Sequence, residues 1–134
     1  LLLLISILAL FLLLIGCAGN VIQSVIENAL AGLRADYTIE VTDTEGFNFT
    51  GRYVVVTAAY DPVNYVAFDS TSYDVVSENV SKQYTVEDAI SVGGMFQKLS
   101  VNGTLTVKIW RGGELVDSDS TTEPFGAVLV TAVK

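Results

Sequence analysis

The hydrophobic positions of this chain follow two different periods, with the change near Ala35. Residues 1–18, LLLLISILALFLLLIGCA, are apolar all round except for Ser6, and no charge occurs before Glu27. As a helix, the twenty-six uncharged residues ahead of Glu27 would run about 39 Å, enough to cross a bilayer core of roughly 30 Å. Beyond Gly19-Asn20 the segment VIQSVIENALAGL places Val21, Ile22, Val25, Ile26, Ala29, Leu30 and Leu33 at helical spacing. Gln23, Ser24, Glu27 and Asn28 fall on the other side, so this part is amphipathic. Gly32 and the Arg34-Ala35-Asp36 step supply stop signals. Gly16 and Gly19 could bend the helix, or Asn20 could cap a second one, so one long helix and two helices are both compatible with the pattern.

After Asp36 the period becomes two. Tyr37–Thr42 and Arg52–Tyr60 alternate and are rich in β-branched residues. Further strands are expected at Val63–Phe68, Ser72–Ser77, Lys82–Val86, Ser91–Leu99, Thr104–Arg111, Glu114–Ser118 and Ala127–Val133. Gly112-Gly113 in KIWRGGELV predicts a two-residue hairpin turn at positive φ. Gly93-Gly94 inside an apolar strand predicts a bulge or a close backbone approach. Short strands with turns every 8 to 12 residues indicate an antiparallel sandwich of immunoglobulin-like type. The expected fold is therefore a long hydrophobic α-helix over residues 1–34 followed by an all-β immunoglobulin-like sandwich over residues 35–134.

Composition narrows the function. Of 134 residues, 7 are basic and 15 acidic, for a net charge of -8, and 14 of the 15 acids lie from Ala35 onward. Nucleic acid is not an expected partner, since phosphate binding needs clustered Lys and Arg. There is no histidine, the commonest general base and metal ligand. The single cysteine excludes an intrachain disulfide framework and a Cys-based zinc site.

The acidic residues are the remaining candidates for chemistry. Asp117 and Asp119 straddle Ser118, and Glu87-Asp88 form an adjacent pair. Paired carboxylates can do acid–base work or hold Ca²⁺. Asp117-Ser118-Asp119 lacks the glycine and distal Glu of a calcium loop, so these acids are read as solvated turn residues. No catalytic residue, cofactor or metal is assigned. Trp110 is assigned to the sandwich core, with an outer-face contact as the alternative. Tyr53, Tyr60, Tyr65 and Tyr73 would suit a contact surface if exposed. Asn48, Asn79 and Asn102 each head an N-glycosylation tripeptide, which favours an exported head.

Two functional expectations follow from the N-terminal sequence. Leu14-Ile15-Gly16-Cys17 matches a bacterial lipobox, in which Cys17 becomes the lipidated first residue of a membrane-anchored, extracytoplasmic binding protein. The layout of an uncharged apolar N-terminal segment joined directly to a β-rich head also resembles archaeal type IV pilins and archaellins. A chain that opens on its apolar segment at Leu1 fits a processed subunit of that kind, whereas Ile5 stands where bacterial type IV pilins carry a glutamate. The resemblance implies a non-enzymatic subunit of an extracellular surface filament. It would be held in the membrane before assembly and polymerised as a homo-oligomer by dedicated assembly machinery. The helix contacts of such a filament are expected at Leu4, Leu8, Phe11, Leu12, Ile15, Ile22, Val25, Ile26, Leu30 and Leu33. The filament subunit is the principal expectation, and the Cys17-anchored lipoprotein is the alternative.

Overall fold

A computed structural model describes residues 19–45, 48–77 and 81–134. They open with helix α1 over residues 19–33. The expected long hydrophobic helix over 1–34 is not the fold found. Among the described residues no helix is long and apolar enough to cross a membrane. As described, α1 runs for fifteen residues, short of the roughly twenty that a span needs, and one side of it is polar. Gln23 Nε2 donates to Glu27 Oε1 at 2.8 Å across one helical turn, and Ser24 Oγ donates back to the Val21 carbonyl at 2.9 Å. Of the expected filament contacts, Leu30 is buried, Ile26 half-buried, and Ile22, Val25 and Leu33 exposed. Leu4, Leu8, Phe11, Leu12 and Ile15, together with Cys17, lie outside the described residues.

The chain forms two compact units, one comprising the helical segment through Gly32 with Ala59–Ala67, the other Leu33–Ala58 with Phe68–Lys134. The second unit holds a β-sandwich-like fold. Its strands are β1 (Ala35–Asp43), β2 (Phe49–Asp61), β3 (Tyr65–Ser77), β4 (Ser81–Ala89), β5 (Ser91–Lys98), β6 (Leu105–Arg111), β7 (Glu114–Thr121) and β8 (Ala127–Val133), of which β2 and β3 run on into the first unit. One sheet has the order β4-β1-β6-β7 and the other β3-β2-β5-β8. The two expected strands Val63–Phe68 and Ser72–Ser77 are one continuous strand, β3.

Strict alternation builds the core. Tyr37, Ile39 and Val41 of β1 and Leu105, Val107 and Ile109 of β6 point inward from one sheet. Phe49 and Val55 of β2, Val92 and Phe96 of β5, and Val128 and Val130 of β8 meet them from the other. Because Ile109 faces the core, Trp110 faces outward, and its expected core placement is overturned. Its indole is half-buried, with Lys108 Nζ 5.9 Å from the ring centroid.

The glycine pairs resolve into different roles. Gly112 and Gly113 have φ of 56° and 85° and join the paired residues Arg111 and Glu114 in a tight hairpin, as expected. Gly93-Gly94 is a close approach rather than a bulge. The β2–β5 register runs unbroken through Val54↔Gly93 and Tyr53↔Gly94, and a Cβ on Gly94 would lie 2.6 Å from Phe96 Cε2. Gly51 is tighter still, since its Cβ would meet Phe96 Cδ1 at 2.5 Å and the Met95 carbonyl at 2.6 Å.

Two predictions follow for urea unfolding. Gly51→Ala is expected to lower stability by about 1–3 kcal/mol through overpacking against a backbone oxygen. Phe96→Ala, which empties the same space, is expected to cost about 3–5 kcal/mol. A Gly51→Ala protein as stable as the parent would contradict the close approach.

Candidate functional site

The sequence-selected acids turn out to have separate duties. Asp117 on β7 accepts from the Thr131 N–H of β8 at 2.7 Å, and so satisfies a donor on the open edge of that strand. Asp117 and Asp119 also accept from the next residue's N–H, Ser118 at 2.9 Å and Ser120 at 2.8 Å. Asp88, at φ 54°, pairs with Arg34 at 3.1 Å, while its N–H donates to Asp36 Oδ1 at 3.0 Å. Arg34 also donates to the Ala58 carbonyl at 2.6 Å and its own carbonyl accepts from Lys134 Nζ at 3.1 Å. These contacts fasten the start of β1 and leave no paired-carboxylate centre. Among the described residues no group of three or more Asp, Glu, Cys or His side chains could hold a metal ion.

Asn48 and Asn102 are both exposed, Asn48 just ahead of β2 and Asn102 in the loop before β6, so each is open to modification. Asn79 lies outside the described residues. The Asn102 loop rests on a feature with no signal in the sequence, the fully buried Lys98. Its ammonium donates to the carbonyls of Gly103 at 2.6 Å and Thr122 at 3.3 Å. Ionic burial of this kind requires such partners.

Two recesses among the described residues of the sandwich surface bear on function. One, of about 250 Å³, lies on the outer face of the β3-β2-β5-β8 sheet over Gly93 and is walled by Val54, Met95 and Leu129. The other, of about 310 Å³, lies between the two edge strands β3 and β4 and mixes aromatic and polar groups. Its origin is a mismatch between the sheets. Thr71, Tyr73 and Val75 share the core-facing side of β3, since side chains repeat with period two. Val75 is covered, but Tyr73 is 45% exposed and Thr71 is open, so the opposing sheet ends short of them.

The cleft is lined by Tyr53, Val55 and Thr57 of β2, Thr71 and Tyr73 of β3, and Thr85, Val86 and Glu87 of β4. Tyr53 and Tyr73 stack with centroids 4.8 Å apart at 17°, and Tyr84 leans on Tyr53 at 5.3 Å and 36°. Tyr84 continues the contact to the core ring Phe96 at 6.4 Å. The platform is thus braced from the core outward to Tyr73. Tyr84 Oη is buried without a hydrogen-bond partner among the described residues. Burial, and secondarily the Tyr73 phenol, raises the Tyr53 phenol above its ordinary value of 10.0. Burial and then Tyr53 do the same to Tyr84. Both therefore remain neutral hydroxyls at physiological pH. On β4 Thr85 and Glu87 alternate with the core-facing Tyr84 and Val86, so their side chains face away from the cleft, and no Lys or Arg contributes to its lining.

Tyr53 and Tyr73, separate contact candidates in the sequence, are brought by the fold into one stack beside the cleft. The sequence reading had passed over Thr57 and Thr71, whose β-branched type is ordinary in strands. Tyr60 and Tyr65 fall in the other compact unit, Tyr60 half-buried and Tyr65 exposed at φ 66°. No protein-family model matches the chain, and no curated protein is significantly similar to it.

The raised phenols make stability depend on alkaline pH. A folded Tyr53 or Tyr84 keeps its proton where the unfolded chain has begun to lose it. The stabilisation from the neutral phenols is therefore complete below the ordinary value of 10.0 and falls as pH rises beyond it. Urea midpoints are expected to drop more steeply above that pH for the parent than for Tyr53→Phe. Equal slopes would place the Tyr53 phenol in water.

Proposed function

We propose that this chain is an extracytoplasmic β-sandwich binding domain, held at a membrane by a lipid on Cys17, with the β3–β4 cleft as its binding site. The cleft supports the binding half of this reading. It is a preformed recess bordered by the Tyr53–Tyr73 stack and by Thr57 and Thr71 of the same sheet, an aromatic and polar lining of the kind ligand sites have. The tether is supported by the sequence Leu14-Ile15-Gly16-Cys17 and the uncharged residues around it. A thiol at Cys17 that carries a diacylglycerol would secure the domain, since two acyl chains suffice for stable anchoring. The acidic surface, with a net charge of -8, suits a soluble domain displayed on the far side of a membrane.

A second reading, a subunit of an extracellular surface filament, is favoured by a separate observation. Val21, Ile22, Val25 and Leu33 of α1 are 60%, 44%, 61% and 47% exposed. Apolar side chains so placed, next to a wholly apolar sequence, are satisfied by lipid or by other copies of the chain. In this reading the protein is a homo-oligomer at the cell surface, membrane-held before assembly.

Fractionation of cells expressing Cys17→Ala separates the two. The tethered-domain reading expects the variant to leave the membrane fraction and its mass to lack a lipid. Unchanged membrane retention with no lipid mass on the parent would overturn the lipid tether. The filament reading expects Cys17→Ala to have little effect and Leu12→Asp to abolish filaments seen by electron microscopy. Normal filaments from Leu12→Asp would sink that reading.

A further inference from the structure

We propose that the outer face of the β3-β2-β5-β8 sheet is an interface for a second copy of this chain, which packs on it face to face about a two-fold axis. The proposal goes beyond the binding-domain reading and needs neither the cleft nor a lipid on Cys17.

The strand registers lay out this face. Arg52, Met95 and Leu129 form one row across β2, β5 and β8, and Val54, Gly93 and Thr131 form the next. Val55, Phe96, Val128 and Val130 point into the core, so these neighbours point out. Met95 is 58% exposed and Leu129 65%, while Gly93 beside them carries no side chain. The result is a knob next to a hole. Two protruding side chains border the recess of about 250 Å³ that lies over Gly93. Contiguous apolar relief of this kind marks a contact site.

Charge points to what covers it. The protein carries 15 acidic and 7 basic residues. Among the described residues of the sandwich unit, the outward positions of β2, β3, β5 and β8 hold one cation and one anion, Arg52 and Asp74, paired at 2.6 Å. The outward positions of β1 and β4 hold Asp36, Glu40 and Glu87 instead. The acidic excess is thus kept off this face, and two copies of net charge -8 can meet here without like charges at the contact. Arg52 and Asp74 are equal and opposite, so a two-fold offers each its opposite from the other copy. The relief is self-complementary in the same way. An axis passing between Gly93 and Met95 seats Met95 of each copy over Gly93 of the other, where a flexible thioether fills the recess. A lipid surface would match the apolar side chains but neither the recess nor the charge pair. A small apolar ligand would fill the recess and leave the protruding Leu129 in water.

Four strands about 4.8 Å apart, each offering about seven residues at ~3.3 Å, give a flat footprint of roughly 440 Å² per copy. That is the size of a transient contact, so the dimer is weak and depends on concentration.

The test uses the full chain in a polyoxyethylene detergent, with Cys17→Ser removing the native thiol. A single cysteine is introduced by Met95→Cys, or by Thr38→Cys on the outer face of the other sheet, and a short bismaleimide is added. Cross-linked dimer that rises with protein concentration is expected from Met95→Cys and not from Thr38→Cys. Adding Leu129→Asp should lower the yield about tenfold or more, since it places like charges in the contact. Charge reversal gives the sharper result. In the Met95→Cys background, Arg52→Asp and Asp74→Arg should each lose the dimer alone, and a mixture of the two chains should regain it. A change in folding cannot produce that regain, so the test stays sound should Leu129→Asp prove unstable. No dimer from Met95→Cys, or a mixture no better than its components, overturns the proposal. Equal yields from Thr38→Cys also overturn it, because the copies would then meet through another part of the chain.

Discussion

Each of the two sheets gathers its buried side chains on one face and buries that face against the other sheet, and the rest of the structure follows from how completely that happens. At the centre the closure is full. Tyr37, Ile39, Leu105, Val107 and Ile109 from one sheet and Phe96, Val92, Val128 and Val130 from the other are almost wholly removed from water. Each such side chain contributes about 1.5–3 kcal/mol of transfer free energy against the entropy of ordering the strands. Glycine at positions 51 and 94 makes room for the Phe96 ring, since a Cβ at either would fall within 2.6 Å of it. Packing density at the centre is thus set by one aromatic ring and the two absent side chains that admit it.

Toward β3 and β4 the closure fails, and that failure produces the cleft. Inward positions of β3 continue the core pattern through Val75 and then run out of opposing sheet. Apolar residues at Tyr73 and Thr71 would leave a greasy open edge. The chain instead places a phenol and a hydroxyl there, with Val86 of β4 across the gap. On the opposite side β7 and β8 lie against each other, and Asp117 closes the edge by accepting the Thr131 N–H. One side of the sandwich is sealed by a carboxylate, and the other is left open.

Much of this was legible in the residues. Period-two alternation located the strands within a few residues, and the Gly112-Gly113 pair marked its hairpin because two successive positive φ angles are accessible to little else. Other features were not. Trp110 was expected inside because large aromatics usually are, yet its place one residue after the inward Ile109 put it outside. The break foreseen between Val63–Phe68 and Ser72–Ser77 did not exist, since Asp69, Ser70 and Thr71 are tolerated on an edge strand whose side chains remain in water. The long helix foreseen over 1–34 is found, among the described residues, only as the short amphipathic helix over residues 19–33.

What the residues determined alone is what depends on local chemistry: strand-forming alternation, turn glycines, an acidic surface, an uncharged apolar N-terminus, and the absence of histidine and of cysteine pairs. What only the tertiary structure decided is which of those residues share a space. Tyr53, Tyr73 and Tyr84 are up to 31 positions apart in sequence. They meet because β4 and β3 are the edges of different sheets, an order that no period or composition encodes. Lys98 shows the same limit: only the fold places the Gly103 and Thr122 carbonyls around its ammonium and makes a buried charge tolerable. Alternation states which side of a strand is apolar, and strand order, set by the competition of all pairings at once, states what that side faces.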